Sequence, residues 1–235
     1  MQDSSRTLSF PSPFLPEELW ILGAGRFGYM AAQRLSQRHP DASFKVIDVR
    51  REKLDRIQKE LGFAVYQEDA ISFLAKAYLP KDVWVIPAVP LHVAFRWLLA
   101  RLEGMGEIHA LPVPETVDRQ VPNPIRTETG TVYTSFATFI CPDACSEPEQ
   151  LCTSTGKLRP DNLFELLNRI EIMSAGVVVV RSLQLAPGVG GYQGGYLENI
   201  LHGLSKEAGS YLVATSCRCH GVVDMLNWTP RYPRY

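Results

Sequence analysis

Three glycines with the spacing G-x-G-x-x-G stand near the start of the chain, between an apolar run and a segment with helical periodicity. Gly23 permits a tight turn, Gly25 lets a pyrophosphate approach the backbone, and Gly28 allows a helix to pack closely on a strand. The helix that begins here offers free N–H groups and the positive end of its dipole to the phosphates. This motif constrains the fold strongly, because it needs a strand, a turn and a helix in that order.

Strand and helix patterns alternate from the glycines as far as residue 114. Five short apolar runs are separated by four segments with helical periodicity. Such alternation predicts a parallel sheet with helices on both faces, which is a doubly wound, Rossmann-like domain. We expect its fifth and last strand over 107–114.

A polar, proline-containing stretch after residue 114 indicates a linker, and a second α/β portion follows it. Its pattern predicts a strand over 130–141, a helix over 160–173, a long strand over 175–186, a second helix, and a last strand that ends at 219. Pattern alone leaves open whether this portion extends the first sheet or forms its own lobe. The expected organisation is an N-terminal arm (1–17), a dinucleotide-binding domain (18–114) and a C-terminal α/β portion with a cysteine-ligated centre (115–235).

An acidic residue follows the second expected strand, twenty residues after the last glycine of the motif. Asp48 at this place is expected to accept hydrogen bonds from ribose hydroxyls, which favours NAD because a carboxylate repels a 2′-phosphate. Arg50 and Arg51 follow at once and could reverse this preference by pairing with such a phosphate. NADP therefore stays open as the alternative to NAD.

The stretches WILGAGRFGYMAAQRL, KVIDVRREKLDRI and GFAVYQEDAISFL resemble the RCK N-terminal (TrkA-N) NAD-binding domains of potassium-transport regulators, over residues 18–110. The resemblance implies that Asp69 lies near the adenosine, with Glu68 in place of a glycine of the family. Beyond residue 114 the chain does not resemble the ligand-sensing domain of those regulators. The motif and the resemblance together imply that the nucleotide contacts Gly23, Gly25, Arg26, Phe27, Gly28, Asp48, Val49, Arg50, Asp69 and Ala70.

All five cysteines stand in two groups. Cys141, Cys145 and Cys152 lie in a segment broken by prolines and a glycine, which indicates a loop, and Cys217 and Cys219 lie at the end of the last expected strand. Thiolates from a loop and a strand together can supply the fourfold ligation that zinc or a [4Fe–4S] cluster needs. Five thiolates favour the cluster slightly over zinc, and a thiol redox pair is the remaining alternative.

Two further features carry weaker signals. The stretch LAPGVGGYQGGYLENIL places glycines between an expected strand and an expected helix, where a turn can bind an anion or simply connect the elements. His92 and His109 lie near the carboxyl edge of the expected sheet and are the candidates for acid–base catalysis. A lone histidine, however, is more often a hydrogen-bonded structural residue than a base.

Composition excludes several classes of function. A net charge of −1 and 46% hydrophobic residues argue against a nucleic-acid binder and against a disordered chain. No apolar run is long enough to span a bilayer, and the N-terminus lacks the pattern of a signal peptide. We therefore expect a cytoplasmic protein without a membrane span.

These observations favour an NAD(P)-dependent redox protein, in which the nucleotide works with the cysteine-ligated centre. The alternative is a nucleotide-sensing regulator of the RCK type with a structural or redox-sensing cysteine site. The expected partners are a small-molecule ligand or a redox partner, and a homodimer stays open.

Overall fold

The computed structural model describes residues 16–231, so the arm expected over 1–17 falls almost entirely outside the described residues. The helices are α1 (Arg26–Arg38), α2 (Arg51–Leu61), α3 (Ala70–Lys76), α4 (Val93–Glu103), α5 (Leu163–Asn168) and α6 (Gly194–Leu204). The strands are β1 (Glu18–Leu22), β2 (Ser43–Asp48), β3 (Ala64–Gln67), β4 (Trp84–Pro87), β5 (Gly106–Leu111), β6 (Ile125–Arg126), β7 (Val132–Ser135), β8 (Ala175–Arg181), β9 (Leu183–Ala186), β10 (Val189–Gln193), β11 (Gly209–Ser216) and β12 (His220–Pro230). Within the described range, no helix is long and apolar enough to cross a membrane.

The first sheet has the strand order β3-β2-β1-β4-β10-β9. Its first four strands are parallel, and β10 and β9 extend it beyond β4 as antiparallel strands. Apolar side chains alternate between the two faces of β1: Leu19 and Ile21 pack with α1 and α2, whereas Trp20 and Leu22 pack with α3 and α4. Helices thus cover both faces, and the predicted doubly wound, Rossmann-like fold is confirmed.

β5 lies in the other sheet, so the expectation that it would be the last parallel strand is wrong. It pairs antiparallel with the far half of β12, with Ala110 opposite Leu226. A Cβ at Gly106 would lie 2.5 Å from the ring of Trp228, so a glycine is needed for this close approach. Strand periodicity contains no information about such a distant partner. The domain boundary near residue 114 remains a prediction.

The second sheet has the order β6-β7-β12-β11-β8, and β5 joins it on β12. Along β11, Leu212 and Ala214 pack on the side of α5, whereas Val213 packs with α4 and α6. One apolar cluster therefore runs from the first sheet through α3, α4 and α6 to the second sheet. The second portion therefore contributes to both sheets: β9 and β10 extend the first, and its other strands form the second together with β5. The two sheets share a helical layer.

Several expected elements of the second half differ in the structure. The strand expected over 175–186 divides at Ser182 into β8, in the second sheet, and β9, in the first. Residues 217–219 form the turn between β11 and β12 instead of a strand end, and β12 has no counterpart in the prediction. The strand over 130–141 and the helix over 160–173 shorten to β7 and α5. Apolar runs indicate extended structure here, but their pairing depends on partners far away in sequence.

The second glycine-rich stretch is a hairpin followed by a helix start. β9 and β10 meet at Gly188, whose φ is +69°, and α6 begins at Gly194 directly after β10. A Cβ at Gly194 would lie 2.8 Å from the carbonyl oxygen of Pro80, and a Cβ at Gly195 would lie 2.8 Å from that of Lys81. These glycines therefore allow α6 to pack closely on the segment before β4.

His92 is buried in a polar network that joins the start of α4 to the second sheet. Its Nδ1 lies 2.8 Å from Oδ2 of Asp224, and its Nε2 lies 2.9 Å from Oγ1 of Thr215. Oγ1 of Thr131 donates to the other carboxylate oxygen at 2.6 Å. Burial lowers the pKa of His92 despite the hydrogen bond to Asp224, so the ring is neutral at pH 7.

We expect this histidine to make stability depend on pH. Because its folded-state pKa is depressed, its contribution is complete above about pH 6.5 and is lost as the pH falls through the folded-state pKa. As the pH is lowered, the free energy of unfolding should therefore fall more steeply for the wild type than for His92→Gln. The difference in slope should reach up to about 1.4 kcal/mol per pH unit. Urea titrations from about pH 7 to about pH 5 measure this. A gap between the two proteins that widens on acidification would show a charged His92 paired with Asp224.

Candidate functional site

The glycine turn has the shape that its spacing predicts. Gly23 adopts a φ of +104°, and its N–H donates to the carbonyl oxygen of Ile47 at 2.6 Å, which joins the end of β1 to β2. A Cβ at Gly28 would lie 1.7 Å from the carbonyl oxygen of Gly23. Gly28 therefore lets α1 pack against the turn, as the motif requires.

Gly25, in contrast, faces open space. The atoms nearest to the position of a Cβ there are Nη2 of Arg50 and Nζ of Lys53, each 3.9 Å away. Gly25 precedes the first residue of α1, and neither a side-chain cap nor an acidic residue in the first turn occupies the free N–H groups of the helix. The turn thus combines an open backbone, a helix N-terminus and two cations, which suits a phosphate.

Asp48 is buried at the end of β2, and hydrogen bonds engage both of its carboxylate oxygens. Oδ2 accepts from the N–H of Ala24 at 2.8 Å and from Nη2 of Arg50 at 3.2 Å. Oδ1 accepts from the N–H and the Nε of Arg50, at 2.9 and 3.1 Å. Burial opposes ionisation, but the hydrogen bonds from Arg50 and Ala24 outweigh it and lower the pKa of Asp48. A charged carboxylate therefore lies against the glycine turn.

The other predicted nucleotide contacts are either exposed or structural. Phe27 is exposed in the first turn of α1, and Val49 is exposed directly after β2. Asp69 caps α3 by accepting from the N–H of Ser72 at 2.9 Å, and Ala70 is buried. The structure therefore groups the glycines, Asp48 and Arg50 at the carboxyl ends of β1 and β2, with Phe27 beside them.

The five cysteines line the wall of one cavity of about 870 Å³. Three of them come from the long connection between β7 and α5 (residues 136–162, the cysteine loop), and two come from the turn between β11 and β12. Phe27 and Met30 of α1 form another part of the wall. Within residues 16–231, no three His, Cys, Asp or Glu side chains stand close enough together to hold a metal ion. The thiols surround the cavity instead of converging on one point.

Backbone N–H groups donate to two of the sulfur atoms at short sequence distance. The N–H of Glu147 lies 3.4 Å from Sγ of Cys145. The N–H groups of Cys219 and His220 lie 3.4 and 3.3 Å from Sγ of Cys217. Turns of this kind place donors two or three residues after a cysteine, where they stabilise a thiolate.

Two further sulfurs receive hydrogen bonds from nearby side chains. The side chain and the N–H of Thr155, together with the N–H of Ser154, donate to Cys152 and lower the pKa of its thiol. Nε of Arg159 donates to Sγ of Cys219 at 3.0 Å, while its other nitrogens bind carbonyl oxygens of the cysteine loop. Four of the five sulfurs therefore have a donor, and Cys141 has none among the described residues.

Burial opposes deprotonation of three of the thiols. It is the main cause that raises the pKa of Cys217 to about 12, and the carboxylate of Glu147 adds to the effect. Burial also raises the pKa of Cys141 and of Cys219, although Arg159 acts in the opposite direction on Cys219. At neutral pH Cys217 is therefore a neutral thiol and a poor nucleophile. A bound cation would reverse this, because a coordinated thiol is deprotonated.

Two arginines of α1 hold the cysteine loop against the nucleotide-binding helix. Arg26, in the first turn, forms a salt bridge with Asp143. Arg34 donates from Nη1 to the carbonyl oxygens of Asp143 and Pro187, each at 2.6 Å. Asp143 thus connects the helix that begins at the glycine turn to the wall of the cavity.

The two histidine candidates lie outside this grouping. His92 belongs to the buried network described above. His109 is exposed on β5 and its Nε2 lies 3.0 Å from a carboxylate oxygen of Glu107. Neither residue lines the cysteine cavity.

Two site residues were absent from the sequence-based prediction. Lys53 lies three residues after Arg50, and this helical spacing could have placed it beside Gly25. Arg159 contacts Cys219 across sixty positions of sequence, and no local pattern indicates that contact.

Two family models divide the chain between them. Residues 19–90 match the TrkA-N domain, which confirms the resemblance seen in the sequence. Residues 94–229, more than half of the chain, match a family described as "Uncharacterized protein, C-terminal domain". The chain belongs to this family. The match begins at α4, so it assigns β5 to the same part of the chain as β12, in agreement with the strand pairing.

A relative from Archaeoglobus fulgidus, itself described as "Uncharacterized protein", shares both parts. It is 28% identical over 219 residues, which are 88% of this chain and 97% of the relative. No solved structure matches the chain. The TrkA-N domain supports a nucleotide-binding role for the first sheet.

The two glycines that follow the turn should respond differently to a side chain. Gly28→Ala places a Cβ against backbone and should destabilise the protein by about 3 kcal/mol, which lowers the midpoint of thermal unfolding by about 6–12 °C. Gly25→Val meets only the flexible ends of Arg50 and Lys53, so we expect an unfolding midpoint close to that of the wild type and a loss of NADH and NADPH binding in calorimetry. Unchanged nucleotide affinity in folded Gly25→Val would show that phosphates do not lie over this turn.

Proposed function

We propose that this protein is an NAD(P)-binding redox protein, in which a nucleotide held by the TrkA-N domain works beside an iron–sulfur centre ligated by cysteines. One observation carries the proposal: the helix that starts at the glycine turn also forms a wall of the cysteine cavity. Phe27 lines the cavity and stands two residues after Gly25. The candidate nucleotide site and the candidate centre are therefore immediate neighbours.

The orientation expected of a dinucleotide supports this proposal. Asp48, at the end of β2, would face the adenosine ribose, and the sheet reverses its winding direction between β1 and β4. A dinucleotide that crosses the sheet at this point extends from the β2 side toward β4 and β10. Gly188, Val189 and Gly190, in the hairpin of β9 and β10, line the cysteine cavity. The nicotinamide half would therefore be directed to the side on which the thiols lie.

The number of the thiols favours an iron–sulfur cluster slightly over zinc. A tetrahedral zinc ion needs four ligands at about 2.0–2.3 Å from one point, whereas a cluster takes its thiolates from around its periphery. All five thiols line one cavity, although no three His, Cys, Asp or Glu side chains of the described residues stand close enough together to hold a metal ion. The raised pKa of Cys217 argues against this residue as the attacking thiol of a bare redox pair, since a neutral thiol reacts slowly.

Hydrogen bonds to sulfur suggest which four thiols are the ligands. Cys145, Cys152 and Cys217 accept hydrogen bonds within their own turns, and Cys219 accepts one from Arg159. Such donors stabilise sulfur-bound negative charge and tune the potential of a cluster. Cys141, which has no donor among the described residues, is the spare thiol in this assignment.

When bound, a [4Fe–4S] cluster would supply a group that exchanges one electron at a time. The chain's own residues would hold the nucleotide phosphates at the open turn and place the adenosine ribose at the end of β2. Since oxidation of NAD(P)H releases two electrons, a redox partner or a small-molecule acceptor is part of this proposal.

The ligand assignment predicts different results for two cysteine substitutions. Cys217→Ser should lose most of the iron and sulfide after anaerobic purification, and its thermal stability should fall with them, because cluster binding contributes to folding. Cys141→Ser should keep both at the wild-type level. Iron and sulfide analysis, together with the visible absorption band at about 400 nm, measures the cluster content of each variant. Equal iron content in the wild type and in Cys217→Ser would contradict a cluster at this site.

The second candidate is a nucleotide-sensing regulator of the RCK type, and the contacts of Asp143 favour it. Arg26 lies where a bound phosphate would compete with Asp143, so nucleotide binding could release the cysteine loop from α1. In that case the nucleotide acts as an allosteric ligand, and the cysteine site is structural or redox-sensing.

Anaerobic titration with NADH and NADPH separates the two functions. For the redox protein, the reduced nucleotide should bleach the band near about 400 nm, with one nucleotide for two clusters, because each cluster takes one electron. Dithionite serves as the positive control, and Gly25→Val should respond to dithionite alone. A protein that contains the cluster and binds both nucleotides, but keeps its absorbance, supports the regulator instead.

A further inference from the structure

We propose that Arg50 sets the nucleotide specificity of this site and that the ligand is a dinucleotide with a phosphate on the adenosine 2′ position, NADPH in preference to NADH. The inference rests on the proposed function, because it concerns the same nucleotide site. It differs from the preference for NAD that Asp48 alone would indicate.

The first observation is that Asp48 has no acceptor capacity left for a ribose. Its carboxylate accepts four hydrogen bonds, one from Ala24 and three from Arg50, and a carboxylate offers about four lone-pair positions. A ribose with two free hydroxyls could bind Asp48 only after displacing the guanidinium. That exchange would break two charge-assisted hydrogen bonds in order to form two neutral–charged ones. NADH therefore competes with Arg50 for the same carboxylate.

The second observation is that the same pairing orients Arg50 as a phosphate ligand. Its Nε and Nη2 bind Asp48, which uses two of the five N–H groups of a guanidinium and leaves three for a ligand. Its side chain is half exposed, so these donors can be reached from solvent. Asp48 acts here as a positioning residue for Arg50 and not as the group that reads the ribose.

The third observation is a second cation on the same side. Nζ of Lys53 and Nη2 of Arg50 each lie 3.9 Å from the Cβ position of Gly25. Among the described residues, no carboxylate lies within salt-bridge distance of Nζ of Lys53. Glu52 attracts Arg50 at longer range, but the hydrogen bonds with Asp48 dominate. Two cations with free donors therefore lie near each other beside the glycine turn, and Arg50 connects this pair to Asp48 at the end of β2. Such a pair of cations suits a phosphate.

Calorimetry on the full-length protein tests this with NADPH against NADH and with 2′,5′-ADP against 5′-ADP. We expect the wild type to bind NADPH more tightly than NADH, and 2′,5′-ADP more tightly than 5′-ADP, in each case by a factor of about ten or more. Arg50→Met should weaken NADPH binding about tenfold or more and leave NADH binding equal or tighter, because Asp48 becomes free. Lys53→Met should weaken NADPH more than NADH. Arg51→Met is the matched control, since Arg51 pairs with Asp55 along α2, and it should change neither affinity.

Two results would overturn the inference. One is a wild type that binds NADH as tightly as NADPH or more tightly. The other is an Arg50→Met protein that binds NADH and NADPH more weakly by the same factor, which would place Arg50 on the pyrophosphate. In both cases nucleotide binding itself persists, so the proposed function survives. A wild type that binds none of the four ligands would instead remove the proposed function together with this inference.

Discussion

Ser182 is the single residue between β8, in the second sheet, and β9, in the first, so the chain passes from one sheet to the other within one residue. Its N–H donates to the carbonyl oxygen of Ser216 at 2.8 Å, at the end of β11. A Cβ at Gly190 would lie 2.5 Å from its hydroxyl oxygen, so β10 also packs tightly against it. Because this crossing leaves little freedom, the ends of β9, β10 and β11 are held together. Ser182 lines the cavity, and the cysteine loop closes over this junction.

The charges around the junction are arranged in a consistent way. Cations on α1 hold the loop from outside through Asp143, whereas Arg159 holds it from inside through carbonyl oxygens and a sulfur. Burial raises the pKa of Cys141, Cys217 and Cys219, which favours their neutral form. A cation coordinated by these thiols would deprotonate them.

The first part of the fold could be predicted from the sequence because its determinants are local. The observed bounds of α2, Arg51–Leu61, are those of its amphipathic pattern, and the glycine motif placed Asp48 correctly at the end of β2. The second part depends on distant partners. Gly106 and Trp228 determine the sheet of β5, and nothing near residue 106 indicates this. No sequence signal marks the break at Ser182 either, because the residues of β8 and β9 form one apolar run. Cys217 and Cys219 could be grouped with the other cysteines by composition, but their place in a turn follows from the unpredicted strand β12.

The crossing at Ser182 also affects how this protein could have been assembled in evolution. The TrkA-N match ends at residue 90, yet β9 and β10, which complete that sheet beyond β4, belong to the C-terminal family match. A gene segment that encodes only the first match would leave β4 as an open edge, without the strand that satisfies its backbone. Recombination at the boundary between the two matches would therefore separate strands that are hydrogen-bonded to each other. The relative from Archaeoglobus fulgidus aligns across both parts, as expected if they are inherited together. The sheet that carries the nucleotide-binding motif is therefore completed by strands from the other family match.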